Sequence, residues 1–142
     1  MLNLKPLCTV VVDVAVPLAV GKTPGGNRSI SDVKSVTVTG ERVNATLAAA
    51  AAADWILVRG KIGDVDVRMT VRTDDDALIY VTYTGKLDLG REGGPVVTVA
   101  PTFETGDERY AWLNAIQAIG RGTLAIGAGG SASINYEFYE VL

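Results

Sequence analysis

One segment of this chain alternates strictly between polar and apolar residues, and this alternation constrains its conformation more than any other feature of the sequence. The segment runs from Asp64 to Thr73 and reads Asp-Val-Asp-Val-Arg-Met-Thr-Val-Arg-Thr. Successive side chains of a β-strand point to opposite faces, so the pattern predicts a strand with one apolar and one polar face. The apolar face carries Val65, Val67, Met69 and Val71, and the polar face carries Asp66, Arg68, Thr70 and Arg72.

Similar alternating or β-branched segments recur along the whole chain and are separated by short turn sequences. We predict further strands at residues 7–16, 33–39, 42–47, 55–59, 78–84, 96–105, 115–119, 123–126 and 133–141. Many short strands at hairpin spacing indicate an antiparallel sandwich or a closed barrel, and closure removes exposed strand edges. We therefore predict an all-β, single-domain antiparallel barrel over residues 1–142, lipocalin-like or allene-oxide-cyclase-like.

We expect little helix in this barrel. The alanine-rich run Ala48–Ala53 is too short to form an independent helix, so we interpret it as a strand end or a compact crossing. The segment Asp107–Asn114 is compatible with one helical turn, with Asp107 as its N-cap.

The composition excludes several kinds of functional site. The chain contains no histidine, which removes the usual general base near neutral pH and the commonest transition-metal ligand. The glycine-rich segments Gly120–Gly122 and Gly127–Gly130 lack the spacing of a phosphate-binding loop. We therefore expect no metal, flavin or nicotinamide cofactor, and any catalysis must use carboxylates, Tyr, Arg, Lys, Asn or the backbone.

Charge and cysteine content indicate the compartment and the kind of partner. The net charge of -3 and the absence of a basic stripe argue against nucleic acid. Asp13 interrupts the apolar stretch Leu7–Val20, and no run is long enough to span a membrane. The single cysteine, Cys8, suits a reducing environment. We expect a cytoplasmic protein that binds a small aromatic or conjugated molecule, and the sequence is compatible with a homo-oligomer.

The segment from Pro101 to Asn114 joins two apolar strands and is unusually rich in functional groups. A turn that only reverses the chain can be built from Gly, Asn and Asp, so this composition suggests the rim of a pocket. The candidate site residues here are Phe103, Glu104, Tyr110, Trp112 and Asn114. In the alternative, structural interpretation, the polar atoms of these residues bond to one another within the turn.

Asp54 and Trp55 open a predicted strand directly after small residues. A carboxyl beside a large apolar surface can have its pKa raised toward neutrality, which makes it a candidate acid or base. The structural alternative is a core Trp with Asp54 capping a turn.

Arg68 belongs to the polar strand face, which is either solvated or lines the lumen of a wide barrel. In a lumen, Arg68 would hold an anionic or enolate oxygen. Tyr80 and Tyr83 point to opposite faces of the next strand, so at most one looks into a lumen. The run Asp74–Asp76 lacks the spacing of a calcium loop, and we interpret it as a turn.

Several of these motifs, in this order, resemble the domain-of-unknown-function family 3237. They are Ala53-Asp54-Trp55, Asp66-Val67-Arg68, Thr73 to Tyr80 with Gly85, Pro101 to Asp107, Arg109 to Asn114 and Tyr139-Glu140-Val141. Gly21 to Pro24, with Gly26 and Arg28, resembles the family's N-terminal turn, whereas Ala48–Ala52 replaces its usual glycine-containing turn. The resemblance implies a small β-barrel of mostly bacterial and fungal origin, and for a few members cofactor-free isomerisation or cyclisation of phenolic and polyketide-like metabolites.

Two functional hypotheses follow. In the first, the protein is a cofactor-free isomerase, cyclase or lyase acting on a conjugated carbonyl or phenolic compound. Asp54 or Glu104 moves a proton and Arg68, with Tyr80 or Tyr110, stabilises the developing oxygen anion. The expected substrate-binding residues are Trp55, Phe103, Trp112, Asn114 and Arg28. In the second hypothesis, the same groups only orient an aromatic ligand in a lipocalin-like carrier.

Overall fold

A computed structural model describes all residues from Met1 to Leu142 and shows an almost entirely β-stranded chain. The strands are β1 (Leu4–Val14), β2 (Leu18–Thr23), β3 (Gly26–Thr39), β4 (Ala45–Leu47), β5 (Ala53–Arg59), β6 (Ile62–Thr73), β7 (Leu78–Asp88), β8 (Val96–Val99), β9 (Thr102–Glu104), β10 (Ala118–Ile126) and β11 (Ala132–Val141). Two 3-10 helices, Glu108–Ala115 and Ala128–Gly130, bring the helical content to 8%. The prediction of an all-β fold with little helix is confirmed.

Eight strands close into an antiparallel barrel. The ring runs β3, β1, β11, β10, β8, β7, β6 and β5, and β5 pairs again with β3. Strand β4 occupies the same place in the wall as β5, because both pair with β3 on one side and β6 on the other. Residues 48–52 separate β4 from β5 in this part of the wall, so the alanine run forms a crossing, which is one of the two alternatives left open by the sequence.

The alternation that predicted β6 also determines its orientation in the barrel. Val65, Val67, Met69 and Val71 are all buried in the interior. Arg68 and Arg72 are exposed on the outer face, which is therefore the solvated face rather than a lumen lining. A hydrophobic core of 24 buried residues fills the barrel.

Two inward-facing glycines on β10 allow aromatic rings to pack against the strand. A Cβ on Gly120 would lie 2.6 Å from Cδ1 of Phe138, and a Cβ on Gly122 would lie 2.7 Å from Cδ1 of Tyr136. Strand β10 is continuous through these glycines, whereas the sequence predicted two separate strands. Glycine lowers the intrinsic strand preference here, but the facing rings require its small size.

The barrel has two different ends. The longer 3-10 helix lies at the end where β1 begins and β11 finishes, because the Val141 amide bonds to the Gln117 carbonyl just after that helix. Leu113 of the helix is only 1% exposed and seals this end, which we call the helix end. The β2–β3, β5–β6 and β10–β11 turns lie at the opposite end, which we call the hairpin end.

The hairpin of β2 and the first half of β3 was not predicted from the sequence. Its residues mix glycine, serine and charged side chains without a clear alternation, and Gly21 has a φ of 103° at a register shift. Strand β2 pairs only with β3 and leaves Leu18 and Val20 exposed. No helix of the chain is long and apolar enough to cross a membrane.

Candidate functional site

Asp54 is the only buried carboxyl group in the chain. It lies on the interior face of β5 and is 8% exposed. One of its oxygens, Oδ1, accepts a hydrogen bond from the backbone N–H of Asp66, with a distance of 3.2 Å. No lysine or arginine is buried with it, so its charge has no counterion in the interior.

The surroundings of Asp54 favour its neutral form. Burial raises the pKa of the carboxyl from 3.8 to about 7, the hydrogen bond from Asp66 opposes this shift, and the negative charge of Asp66 adds to it. A carboxyl with this pKa exchanges its proton near neutral pH. Raised values of this kind occur often at functional sites.

Ser31 lies next to Asp54 on the neighbouring strand, since these two residues form a cross-strand pair between β3 and β5. Ser31 is fully buried, and its Oγ is the only buried side-chain polar atom in the chain without a hydrogen-bond partner. Leaving a buried hydroxyl unsatisfied costs on the order of 1–3 kcal/mol. Such a group beside an uncompensated carboxyl is hard to explain by packing alone, which makes the pair a candidate site.

Two buried tyrosines complete the polar cluster. Tyr83 and Tyr136 are 2% and 4% exposed, and their rings meet edge to face with a centroid distance of 5.5 Å. Burial raises the pKa of both phenols, and the negative charge of Asp54 contributes to the shift in each. Ser31, Asp54, Tyr83 and Tyr136, which we call the interior polar cluster, are surrounded by apolar side chains.

The cluster lies toward the hairpin end of the barrel. Val33, two residues after Ser31, pairs with Val14 at the last position of β1. Beyond Asp54, the next two β5 residues on the same side of the strand, Ile56 and Val58, are only partly buried. Toward the helix end, apolar side chains such as Met69 fill the interior almost completely. The cavity that remains between them measures only about 20 Å³. The hairpin end is therefore the less tightly packed side of the cluster.

Four of the expected site residues lie on the outer surface of the wall instead. Trp55 and Tyr80 are 36% and 38% exposed, and the Arg68 side chain also faces outward. Arg28 and Trp55 line an outer groove of about 390 Å³, and Arg68 and Tyr80 line a second groove of similar size. The structure therefore separates Arg68 from Asp54, because the two side chains point to opposite faces of the sheet.

The expected residues of the 101–114 segment lie at the helix end, far along the barrel from Asp54. Asn114 accepts from the Thr105 N–H at 2.8 Å and donates to the Thr105 carbonyl at 3.0 Å. The hydroxyl of Tyr110 donates to Asp75 at 2.7 Å, and Glu104 is exposed. Trp112 packs under the guanidinium of Arg42, whose carbon lies 4.6 Å from the ring centroid.

These contacts show what the 101–114 segment does in the fold. Asp107 caps the 3-10 helix by accepting from the Arg109 N–H, as the sequence predicted. Phe103 packs against the core from β9. The aromatic and polar residues thus hold a plug across the helix end, and the structure does not bring Glu104 to the same cavity as Asp54.

The acidic run after β6 forms a turn, in agreement with the sequence. Asp75 accepts from the hydroxyls of Thr73 and Tyr110, and Asp76 pairs with Arg72 at 2.7 Å. Asp76 also has a φ of 72°, which a tight turn requires. No group of three or more acidic or cysteine side chains is arranged to hold a metal ion.

Sequence reasoning missed Ser31, Tyr83 and Tyr136 as site residues. The signal for Tyr83 was present, because it shares its strand face with Ile79 and Val81 rather than with the threonines. Tyr136 likewise shares a face with Ile134 and Phe138. Ser31 lies in a stretch without clear alternation, so nothing local indicated that it is buried.

The chain is thus a small closed β-barrel with an ionisable polar cluster in an otherwise apolar interior. The chain belongs to the DUF3237 family, described as a protein of unknown function, whose model matches residues 2–141. No curated protein matches the chain in sequence.

Solved structures show the same barrel. A β-barrel-like protein from Acinetobacter baumannii is 25% identical, with a TM-score of 0.84 over 100% of this chain and 97% of that one. A protein of unknown function from Clostridium acetobutylicum is 19% identical, with a TM-score of 0.84 and full coverage of both chains. An enzyme from Penicillium herquei is 18% identical, with a TM-score of 0.72 over 99% of this chain and 95% of that one.

Proposed function

We propose that this protein is a cofactor-free isomerase, cyclase or lyase in which Asp54 moves a proton on a conjugated carbonyl or phenolic small molecule. The observation that carries the proposal is the burial of Asp54 among uncharged groups, which raises the pKa of its carboxyl to about 7. At neutral pH such a group is present both as a base and as an acid.

The chemistry follows from this dual state. The carboxylate removes a proton from a carbon next to the carbonyl group, and the resulting carboxylic acid returns it at another position of the conjugated system. Positioned acid-base transfer of this kind contributes about 10²- to 10⁴-fold in rate. Neither step requires a metal or a redox partner, because the proton is conserved within the site.

The packed interior leaves no lumen large enough to enclose a whole ligand. Pockets for small molecules usually occupy about 300–1,000 Å³. The apolar interior cavity measures only about 20 Å³. A lipocalin-like carrier of an aromatic ligand therefore has the weaker support. The description of the similar Penicillium herquei barrel as an enzyme also favours catalysis.

The proposal is tested by turnover of a panel of conjugated phenolic ketones, followed by their ultraviolet absorbance. Asp54→Asn should abolish turnover and keep binding, because the amide is nearly isosteric but cannot take up the proton. Asp32→Asn is the matched control, since it removes an exposed carboxyl from the adjacent strand and should leave turnover unchanged.

The pH profile supplies a second readout. If the carboxylate of Asp54 is the base, kcat/KM should rise with pH and level off above about pH 7, where the carboxyl is ionised. Dialysis against a chelator should leave turnover intact. Loss of turnover in Glu104→Gln with retention in Asp54→Asn would transfer the role to Glu104. Failure of every ketone that binds to react would favour the carrier.

A further inference from the structure

The interior polar cluster contains hydrogen-bond donors but no positive charge. Ser31, Tyr83 and Tyr136 contribute hydroxyl groups, and Asp54 contributes the only ionisable carboxyl. The nearby cations on this side of the barrel are directed outward: Arg59 and Lys86 both bind Asp64 on the outer face. A negative charge that develops inside the barrel can therefore be stabilised only by uncharged donors.

The two phenols lie close together in the interior. Tyr83 pairs across the sheet with Val67, and Val67 pairs in turn with Asp54, so Tyr83 and Asp54 lie at the same level of the interior. Tyr136 comes from β11 on another part of the ring, and its ring meets that of Tyr83 edge to face. Gly122 gives the Tyr136 ring the space it needs.

We propose that Tyr83 and Tyr136 form an uncharged oxyanion-binding pair, and that the substrate is a neutral molecule presenting a ketone or phenol oxygen to them. This inference rests on the proposed function and names its substrate class and two further catalytic residues. Preorganised neutral donors of this kind stabilise a developing anion strongly in a site that excludes water.

The reaction balances without a co-reactant. The Asp54 carboxylate takes a proton from the carbon next to the carbonyl, and the electron pair of that C–H bond forms a carbon–carbon double bond. The carbonyl π electrons move to the oxygen, which accepts hydrogen bonds from both phenols. When the substrate carries a β,γ carbon–carbon double bond, Asp54 then returns its proton to the γ-carbon. The carbonyl forms again and the double bond shifts to the α,β position, so the product is an isomer of the substrate.

The absence of an interior cation also sets a limit on the substrate. A carboxylate or phosphate group brought into the cluster would lie near Asp54 with no counterion, and burying an unpaired charge is strongly unfavourable. The portion of the substrate that reaches the cluster must therefore be uncharged while Asp54 is a carboxylate.

The test uses 4-nitrophenol as the probe, because its phenolate oxygen resembles the enolate oxygen and its absorbance reports ionisation. It is carried out in Asp54→Asn, in which the neutral amide represents the protonated base. The bound probe should have the phenolate spectrum. Adding Tyr83→Phe or Tyr136→Phe should weaken its binding at least tenfold, since each removes one donor and keeps the ring. Tyr139→Phe is the control on the outer side of β11 and should not change binding.

The inference is overturned if phenol binding is unaffected by both Tyr→Phe changes in folded protein, or if folded Asp54→Asn binds no phenolate. Near-ultraviolet circular dichroism checks folding, and downfield hydroxyl proton resonances on probe binding report the same contacts without substitution of either tyrosine. Their absence would also count against it. If Asp54→Asn loses turnover while the Tyr→Phe variants bind the probe normally, this inference alone fails. If Asp54→Asn keeps turnover, the proposed function fails.

Discussion

Asp54 makes the stability of the protein depend on pH in an unusual direction. Its pKa is about 7 in the folded chain and 3.8 as the ordinary value, so the folded state binds the proton more tightly. Asp54 therefore contributes its full stabilisation of the folded state below about pH 4, where the carboxyl is protonated. This stabilisation is lost as the pH rises through about 7.

We predict that Asp54→Asn stabilises the protein at pH 8 by about 4 kcal/mol and has little effect at pH 4, because the amide carries no charge to bury. The measurement is urea unfolding of both proteins at the two pH values. Asp32→Asn should show no such difference between them. A pH-independent effect of Asp54→Asn would mean that burial does not disfavour the carboxylate.

Gly122 is a second residue whose role is set by a single contact. An added Cβ would lie 2.7 Å from Tyr136 Cδ1 and 2.9 Å from Ile134 Cγ2. We predict that Gly122→Ala destabilises the fold by about 1–3 kcal/mol through overpacking. Gly106→Ala is the matched control, since nothing lies within 4 Å of its added Cβ. Equal urea midpoints for the two variants would contradict the packing of β10 described above.

At the scale of elements, the 3-10 helix and its flanking turns act as a plug. The two hydrogen bonds between Asn114 and Thr105 hold this segment across the helix end. The core contact of Leu113 anchors it from the inside.

We predict that Asn114→Ala loosens the plug by about 1–2 kcal/mol, because two hydrogen bonds are lost. Amide hydrogen exchange should accelerate in residues 105–117 and remain unchanged in β1 and β11. Glu104→Gln is the control, since the Glu104 side chain is exposed. Faster exchange throughout the barrel would show that the segment is part of the global folding unit.

At the scale of the whole molecule, closure gives each strand of the ring two neighbours. A break anywhere in the ring therefore exposes edges on both sides, which favours unfolding in one cooperative step. The two tryptophans lie in different parts of the barrel, so their fluorescence can test whether unfolding is cooperative. Trp55 lies on the wall, and Trp112 packs at the helix end against Arg42.

We predict that the single-tryptophan proteins Trp55→Phe and Trp112→Phe each unfold in urea with a fluorescence transition that coincides with their own far-ultraviolet circular dichroism. Both fluorescence probes then report the same global event although they lie in different parts of the barrel. A fluorescence transition of Trp112 that precedes the loss of β-structure would instead identify the helix end as a separate unit.

Local pattern determined the fold class and several of its elements. The alternation of β6, the Asp107 cap and the Asp74–Asp76 turn depend on interactions within a few residues, and each was predictable from sequence. The first half of β3 and the continuity of β10 were not, because long-range pairing with β5 stabilises the former and the facing rings of Tyr136 and Phe138 stabilise the latter.

The candidate site depended far more on tertiary structure. The sequence singled out Asp54 and suggested a raised pKa from the neighbouring Trp55. In the structure, Trp55 points outward, and the pKa rises because barrel closure buries Asp54 with Ser31, Tyr83 and Tyr136. These residues come from four strands that are distant in sequence. Alternation shows that Tyr80 and Tyr83 face opposite sides, but only closure of the sheet decides which side becomes the interior, since that choice depends on contacts among all the strands.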